Sequence, residues 1–338
     1  MKAAVLGAAH AASDGAAGLL IGHFATNTPA AELGGLVLIY NVLAFAAQPP
    51  IGLWLDRVRR PRAAVVLSLV LMALALLMAN QPLLAVMLAG CASAIFHVSG
   101  GTLALSATPD RATGPGIFAA PGVIGLTCGG ALAATGHFVP AVFLALLIVS
   151  GLGVAVMSRS ISKVQSSPKT PGFEEQELII VAVLAAIALR SALWSAFEAV
   201  LRGDLVWLLA AALAAGTGKI SGGVLADRLG WRRWTIGSLA VAAPLMLIGP
   251  TNGGVFLIGL ALLQSATPVT LAAVARMLPA RPGLASGLSL GLAIVVGGLF
   301  VLSGFGSMIT SPLIMLSLMA LSGGLLAWAL PRRKVEAP

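Results

Sequence analysis

A short charged signature occurs twice in this sequence, once in each half, and both copies follow an apolar stretch. Residues 52–60 read GLWLDRVRR, and residues 223–233 read GVLADRLGWRR. Their aspartates, Asp56 and Asp227, are separated by about half of a chain of 338 residues. An internal repeat of this size in a hydrophobic chain predicts a membrane protein built from two similar halves, the usual plan of secondary transporters.

The composition places most of the chain in lipid. It is 59% hydrophobic and only 9% charged, with a mean hydropathy of +1.01. A soluble domain cannot bury that much apolar surface. The apolar runs are continuous rather than alternating, which favours spanning helices over the strands of a membrane barrel. We therefore predict an all-α membrane protein with several spans.

Charged and helix-breaking residues divide the sequence into twelve predicted spans, arranged as two six-helix bundles. The predicted spans lie near 5–25, 33–54, 63–79, 83–107, 115–135, 138–157, 178–200, 205–226, 234–249, 254–275, 284–305 and 310–330. The longest polar stretch, residues 158–177, is predicted to link an N-terminal bundle (1–157) to a C-terminal bundle with a short basic tail (178–338). The remaining connections are too short to form a domain outside the membrane.

The formal charge of +9 is explained by topology rather than by nucleic-acid binding. On the predicted spans, nearly every Lys and Arg falls on one side of the membrane. The exceptions are Arg190, Arg202 and Lys219. This asymmetry follows the positive-inside rule and predicts that both termini are cytoplasmic.

The repeated signature resembles the Gly-x-x-x-Asp-Arg motif of the major facilitator superfamily, which follows the second and eighth helices. Both copies occupy those places, and the resemblance covers essentially the whole chain. It implies two six-helix bundles, alternating access and a gating role for Asp56, Arg57, Asp227 and Arg228. In the family this aspartate lies near the N-terminus of a helix from the opposite bundle, where the helix dipole favours a carboxylate. The alternative is that these charges only anchor loops at the interface.

Two further patterns resemble efflux members of this superfamily. The motif His10-x-x-x-Asp14 in span one, combined with FHVSGG at residues 96–101 in span four, is similar to the fosmidomycin-resistance branch. Span five carries a degraded form of the Gly-Pro pattern common in exporters, centred on Pro121. A Pro kink with small-residue packing explains the second pattern equally well.

Three ionisable residues form the candidate coupling site: His10, Asp14 and His97. His10 and Asp14 are four positions apart and share a helical face, while the resemblance implies that spans one, four, seven and ten line the cavity. Ionisable groups at membrane depth usually mark solute or proton pathways. Alternate protonation would couple proton movement to rocking of the bundles. The alternatives are a divalent-metal site, since two imidazoles and a carboxylate suit a transition ion, and a static pair that joins the two helices.

The candidate solute-binding residues lie on spans seven and ten. Arg190, Trp194 and Glu198 recur every four residues along one helical stripe, and Gln264 and Thr267 precede Pro268. A guanidinium can hold an anionic group in two hydrogen bonds, and an indole offers a stacking surface. A structural ion pair of Arg190 with Glu198 or Asp14 is the alternative. Lys219 is close enough to the cytoplasmic end of span eight to reach the interface, so we interpret it as structural or gating.

The sequence therefore predicts a proton-coupled secondary transporter of a small organic solute, anionic or drug-like, that works by efflux. The alternative is a carrier of a divalent transition metal or a metal chelate that uses His10, Asp14 and His97. We find no motif of an enzyme and no ATP-binding segment, so no cofactor is expected. The predicted partners are solute, protons and lipid, and the protein is expected to be a monomer in a bacterial inner membrane.

Overall fold

The computed structural model describes residues 1–157, 173–201, 203–248, 252–300 and 304–331. Over these residues the chain is helical and contains no strand. The helices before residue 158 are α1 (Lys2–Asn27), α2 (Ala30–Asn41), α3 (Gln48–Val58), α4 (Pro61–Leu77), α5 (Pro82–Ala107), α6 (Thr113–Ala134) and α7 (Pro140–Val156). Those after residue 172 are α8 (Phe173–Leu201), α9 (Leu205–Leu229), α10 (Trp231–Ile248), α11 (Gly253–Gln264), α12 (Thr267–Met277), α13 (Pro282–Gly287), α14 (Ala293–Phe300), α15 (Gly306–Ile309) and α16 (Pro312–Ala329).

Nine helical segments of the described residues are long and apolar enough to cross a membrane. They are Lys2–Asn27, Ala30–Val58, Pro82–Ala107, Thr113–Ala134, Glu175–Leu201, Leu205–Leu229, Gly253–Met277, Pro282–Leu299 and Pro312–Ala329. Two shorter apolar helices, Pro61–Leu77 and Pro140–Val156, lie between them. The all-helical membrane class is thus confirmed, whereas the count of twelve spans stays a prediction. Part of the predicted linker, residues 158–172, lies outside the described residues, and α8 begins at Phe173.

Helices α1 and α6, which both border the candidate site, pack closely against each other. A Cβ atom added to Gly18 would lie 2.1 Å from the main-chain oxygen of Leu126, and one added to Gly129 would lie 2.0 Å from that of Gly15. Such distances require glycine, because the two backbones touch. The contact brings the carbonyl groups of α6 within reach of side chains on α1.

Helices from the two halves of the sequence also touch through small residues. A Cβ atom on Gly52 in α3 would lie 2.4 Å from the main-chain oxygen of Gly283 in α13. One on Gly116 in α6 would lie 2.5 Å from that of Lys219 in α9. The glycines that open each repeated signature therefore lie at or next to contacts between the halves, since Gly223 is similarly close to Ala112.

Two π-helical segments interrupt the helices at these contacts. Val42–Ala46 separates α2 from α3, and Leu288–Leu292 separates α13 from α14. A Cβ atom on Gly291 in the second segment would lie 2.5 Å from the main-chain oxygen of Phe45 in the first. The two irregular segments thus touch each other on one side, whereas Val42, Ala46 and Leu292 remain exposed.

Candidate transport site and gates

The candidate coupling site lies between α1, α5 and α6. His10 and Asp14 extend from the same face of α1, with His10 Nε2 3.0 Å from Asp14 Oδ2. From α5, His97 places its Nε2 atom 3.1 Å from His10 Nε2 and 3.7 Å from Asp14 Oδ2. The three predicted residues are therefore brought together. They are 4%, 8% and 9% exposed for His10, Asp14 and His97 respectively.

Main-chain carbonyl groups determine which nitrogen of each imidazole carries a proton. His10 Nδ1 lies 2.8 Å from the oxygen of Phe118, and His97 Nδ1 lies 2.8 Å from the oxygen of Ser93. Because a carbonyl oxygen only accepts, both Nδ1 atoms must donate. Both Nε2 atoms of neutral imidazoles then present lone pairs, and they meet the lone pairs of Asp14 Oδ2. Three acceptors at these distances repel one another unless a proton or another cation lies between them.

Apolar and small residues enclose the site. The ring of His10 stacks on that of Phe118, with centroids 4.5 Å apart and an angle of 24° between planes. A Cβ atom on Gly122 would lie 2.4 Å from His10 Nε2, so α6 packs directly against the imidazole. Asp14 Oδ1 has no hydrogen-bond partner among the described residues. Packing against α6 thus restricts the His10 ring, and the Oδ1 atom of Asp14 remains available to accept a hydrogen bond.

Arg190 in α8 is buried among neutral groups of α12. Its Nη2 atom donates to Thr270 Oγ1 at 3.1 Å, and its Nη1 atom donates to Thr267 Oγ1 at 3.4 Å. The side chain is 4% exposed, and its Nε atom has no partner. Within the described part of the chain, Arg190 makes no ion pair with a carboxylate. The predicted alternative of a pair with Glu198 or Asp14 is therefore absent from this arrangement.

Among the other predicted solute-binding residues in the described part of the chain, Thr267 is the one hydrogen-bonded to Arg190. Thr267 donates from Oγ1 to Gln264 Oε1 at 3.3 Å, which links α12 to the end of α11. Trp194 and Glu198 are partly buried further along α8. Thr270, which sequence reasoning did not single out, is the nearer partner of Arg190.

Lys219 faces the interior rather than the membrane interface. Its charge interacts with Asp14 and Arg190 and with His97. The sequence interpretation of this residue as structural or gating was drawn from its distance along the helix alone.

The second signature aspartate accepts four hydrogen bonds, three of them from the other half of the chain. Asp227 accepts from the main-chain nitrogen atoms of Ala112 at 2.8 Å and Thr113 at 2.9 Å, which form the N-terminus of α6. It also accepts from Thr113 Oγ1 at 2.6 Å and from Trp231 Nε1 at 2.9 Å. Beside it, Arg276 stacks 3.7 Å above the Trp231 ring.

The first signature aspartate makes a simpler contact. Asp56 accepts from the main-chain nitrogen atoms of Gly283 at 2.7 Å and Leu284 at 2.9 Å, at the N-terminus of α13. The neighbouring Arg57 and Arg228 are exposed and have no hydrogen bond or ion pair in the described ranges. Both aspartates thus lie where the resemblance implied, whereas the arginines make no contact between halves.

One contact between halves gave no signal in the sequence. Arg276 Nε lies 3.2 Å from Asp110 Oδ1, and its Nη2 donates to the main-chain oxygen of Asp110 at 2.6 Å. Asp110 has a left-handed backbone, with φ of 58°. The pair is 166 positions apart, so no local pattern could have revealed it.

Comparison with known proteins identifies relatives over most of the chain. The protein is 26% identical to the uncharacterized MFS-type transporter YfnC of Bacillus subtilis (strain 168) over 309 residues, 79% of this chain and 75% of that protein. It is also 26% identical to the fosmidomycin resistance protein of Escherichia coli (strain K12) over 307 residues, with the same coverage.

Solved structures of transporters have a similar fold. The fucose:proton symporter FucP of E. coli matches with a TM-score of 0.71 and 14% identity, covering 98% of each chain. The human organic anion transporter MFSD10 (TETRAN) matches with a TM-score of 0.73 and 16% identity, covering 96% of this chain and 98% of that one. The Major Facilitator Superfamily family model matches residues 3–218. This chain is a multi-pass membrane protein that belongs to the Major Facilitator Superfamily of secondary transporters and is not an enzyme.

Proposed function

We propose that the protein is a proton-coupled carrier of a small organic anion that works by alternating access between two six-helix bundles. The N-terminal bundle comprises residues 1–157, residues 158–177 form the cytoplasmic linker, and the C-terminal bundle with its basic tail comprises residues 178–338. The close glycine contacts of α3 with α13 and of α6 with α9 support this division. By the positive-inside argument, both termini are cytoplasmic in a bacterial inner membrane, and the carrier acts as a monomer.

The proposal of proton coupling rests on one observation. Three hydrogen-bond acceptor atoms, one each from His10, Asp14 and His97, lie close together. A single proton shared among the two Nε2 atoms and Asp14 Oδ2 removes their mutual repulsion at 3.0, 3.1 and 3.7 Å. Loss of that proton restores the repulsion and favours a rearrangement of α1 relative to α5. Proton release and helix movement are then linked without any further group.

The buried Arg190 supports an anionic solute. A guanidinium that is desolvated without a carboxylate partner is costly at membrane depth, and a bound anion removes that cost. Thr267 accepts a hydrogen bond from the guanidinium and donates one to Gln264, while Trp194 and Glu198 lie further along α8. We assign these five residues to solute binding.

Asp56 and Asp227 act as gates in this scheme. Each carboxylate bridges the two halves at a helix N-terminus. Opening of the carrier to the cytoplasm therefore requires these hydrogen bonds to break. Arg57 and Arg228 adjust the interfacial charge around them. The resemblance to the fosmidomycin resistance protein supports efflux, with protons entering as solute leaves.

The experiment uses purified protein in liposomes under an imposed pH gradient. Solute flux is measured for fosmidomycin and for a panel of organic anions, while an entrapped pH dye reports proton flux. For the wild type we expect opposite movement of solute and protons. For Asp14→Asn we expect at least a tenfold loss of gradient-driven flux with solute exchange retained, because the cavity keeps its shape but loses the titrating group.

A matched control is His137→Ala, which removes an exposed imidazole outside the cluster and should leave driven flux unchanged. Unaltered driven flux in Asp14→Asn would contradict the coupling role of the cluster. Solute movement in the same direction as protons would contradict efflux while leaving coupling intact.

A divalent transition metal as the transported solute is the second candidate, and the geometry of the same cluster favours it. Ligands of a tetrahedral zinc site with bonds of about 2.0–2.1 Å are separated by about 3.3 Å, close to the three distances measured here. Both imidazoles also donate Nδ1–H to carbonyl oxygens, as metal-bound histidines normally do. Titration with Co²⁺ tests this candidate: an intense visible absorption typical of tetrahedral cobalt, lost in His97→Ala, would support it. A spectrum identical to that of free Co²⁺ would exclude it.

A further inference from the structure

The contact between the halves beside Asp56 buries two polar side chains that the proposed function does not use. Gln48 begins α3 and Ser286 lies in α13, and both are 0% exposed. Gln48 Nε2 donates to the main-chain oxygen of Ala44 at 2.7 Å, but its Oε1 atom has no hydrogen-bond partner among the described residues. The Oγ atom of Ser286 has none there either. Both atoms therefore keep unused hydrogen-bonding capacity inside the protein.

Each of these side chains packs against a glycine of the other half. A Cβ atom on Gly291, in the π-helical segment Leu288–Leu292, would lie 2.8 Å from Gln48 Cδ. A Cβ atom on Gly101 in α5 would lie 2.9 Å from Ser286 Oγ. Because glycine has no side chain, it offers the amide and the hydroxyl no side-chain partner across the contact.

The contact of α6 with α9 differs in this respect. Over the described residues, every buried side-chain polar atom of these two helices has a hydrogen-bond partner. The close approaches in this contact are those of Gly223 to Ala112 and of Gly116 to the main chain of Lys219. The unpaired atoms are thus a local property of the contact beside Asp56.

The unpaired atoms make closure of this contact costly. A polar atom that is buried without a partner is less favourable than the same atom in water. Separation of α3 from α13 exposes Gln48 Oε1 and Ser286 Oγ to water and so removes that cost. Asp56 acts in the opposite direction, since its hydrogen bonds to Gly283 and Leu284 exist only while the halves touch.

We propose that Gln48 and Ser286 form a release element, a pair of buried polar groups that favours separation of the halves on the cytoplasmic side. The release element offsets part of the stabilisation from Asp56, so that the closed contact is held without being locked. A carrier needs such a balance, because it must populate both states during each cycle. This inference rests on the alternating access of the proposed function and does not depend on the solute or the coupling ion.

The test measures the distance between two nitroxide labels across the contact, in the full-length protein in lipid nanodiscs. The labels are attached at Val58→Cys, at the end of α3, and at Ala280→Cys, just before α13. Both positions are exposed, and both native cysteines are replaced. The populations of long and short distances give the ratio of open to closed protein. Each variant is also made together with Asp56→Ala, which populates the open state enough for a fall in the ratio to be measured.

Two substitutions remove the release element. Ser286→Ala deletes the hydroxyl group, and Gln48→Met replaces the amide by an apolar group of similar size. Each should lower the ratio of open to closed protein about tenfold, and the double variant about 100-fold, because the closed state loses the cost of an unpaired atom at each site. The matched control is Ser68→Ala, since that serine is equally buried but donates to the main-chain oxygen of Val65 at 2.6 Å within one half. It should leave the ratio unchanged.

An unchanged ratio in both Ser286→Ala and Gln48→Met would overturn the proposal. So would a higher ratio, which would show that the two polar groups hold the halves together. In either case alternating access would stand. A single short distance in the wild type and in Asp56→Ala alike, at every pH, would instead contradict alternating access and the proposed function with it.

Discussion

The two gates arise from the same short signature, yet their surroundings differ. Asp56 accepts two hydrogen bonds, both from main-chain nitrogen atoms of α13. Asp227 accepts two equivalent main-chain bonds from the start of α6 and two more from the side chains of Thr113 and Trp231. The shared part of both gates is a carboxylate at a helix N-terminus, where orphan N–H groups and the helix dipole favour it.

One extra bond at Asp227 comes from Thr113 on the partner helix, and the other comes from Trp231, which lies within the second signature at the start of α10. The first signature has Arg60 at the position that corresponds to Trp231. A repeated motif therefore fixes the common geometry of the gates but not their strengths. We infer that the Asp227 gate contributes more to holding the halves together than the Asp56 gate does.

The largest expected effect is a difference between Asp227→Ala and Asp56→Ala. Each lost hydrogen bond to a charged group weakens the contact by about 1.5 kcal/mol or more in a partly buried setting. Asp56→Ala removes two such bonds between the halves, about 3 kcal/mol, and Asp227→Ala removes three, about 4.5 kcal/mol. We expect opening between the halves to become about 100-fold more favourable in Asp56→Ala and about 1,000-fold more favourable in Asp227→Ala, since about 1.4 kcal/mol corresponds to a factor of ten. The measurement is the labelling rate of Ser286→Cys, buried between the halves, with a membrane-impermeant maleimide.

The labelling background replaces both native thiols, Cys91→Ser and Cys128→Ser, because both are exposed. Equal labelling rates in the two aspartate variants would show that the extra bonds of Asp227 do not stabilise the contact between the halves. A larger increase in labelling rate for Asp56→Ala than for Asp227→Ala would show that the Asp56 gate is the stronger of the two.

A second experiment makes the two gates alike. Thr113→Val combined with Trp231→Phe removes the two side-chain donors and leaves Asp227 with main-chain bonds only, as at Asp56. Only the Thr113 bond joins the two halves, and one hydrogen bond to a carboxylate contributes about 1.5 kcal/mol, so labelling should increase about tenfold. If each single variant has no effect, the hydroxyl and indole groups only fill space beside the carboxylate.

A smaller effect is expected from the ion pair next to the Asp227 gate. The side chains of Arg276 and Asp110 are 35% and 30% exposed, and exposed pairs contribute about 0–1 kcal/mol. Asp110→Asn should raise labelling by no more than about fivefold, and the difference should shrink in 1 M NaCl because salt screens such pairs. A salt-independent effect would instead point to the unusual backbone of Asp110, whose φ is 58°.

Features that depend on local helical periodicity were predicted from the sequence. Helical spacing alone places His10 and Asp14 on one face, and the measured distance of 3.0 Å agrees. The family and the membrane class followed from the repeated signature and the apolar runs. These features depend on neighbours within a few positions or on an average over the chain, and both are visible in one sequence.

Features that depend on how distant helices pack were not predicted. The partners of Arg190 are Thr267 and Thr270 in α12, although acidic partners were the expected alternative. The contact of the Lys219 main-chain oxygen with Gly116 likewise follows from the packing of α9 against α6. No spacing rule reports such choices, because they are set by the crossing of helices far apart in sequence.

The turn that ends each signature also differs between the two copies. Arg59 stands where the second copy has Gly230, and a tight turn at this place favours glycine. Arg59 nevertheless adopts the left-handed conformation, with φ of 56° and ψ of 32°, at a cost of about 1–2 kcal/mol. Gly230 lies at φ of 95° and ψ of 131°, a region that is essentially restricted to glycine.

We expect Arg59→Gly to change stability by less than about 1 kcal/mol, because relief of strain is offset by the entropy that glycine adds to the unfolded chain. Gly230→Ala should be destabilising by about 1–3 kcal/mol. Melting temperatures in one detergent test both substitutions. If Gly230→Ala is neutral while Arg59→Gly is strongly stabilising, the strain lies in the first turn rather than in the second.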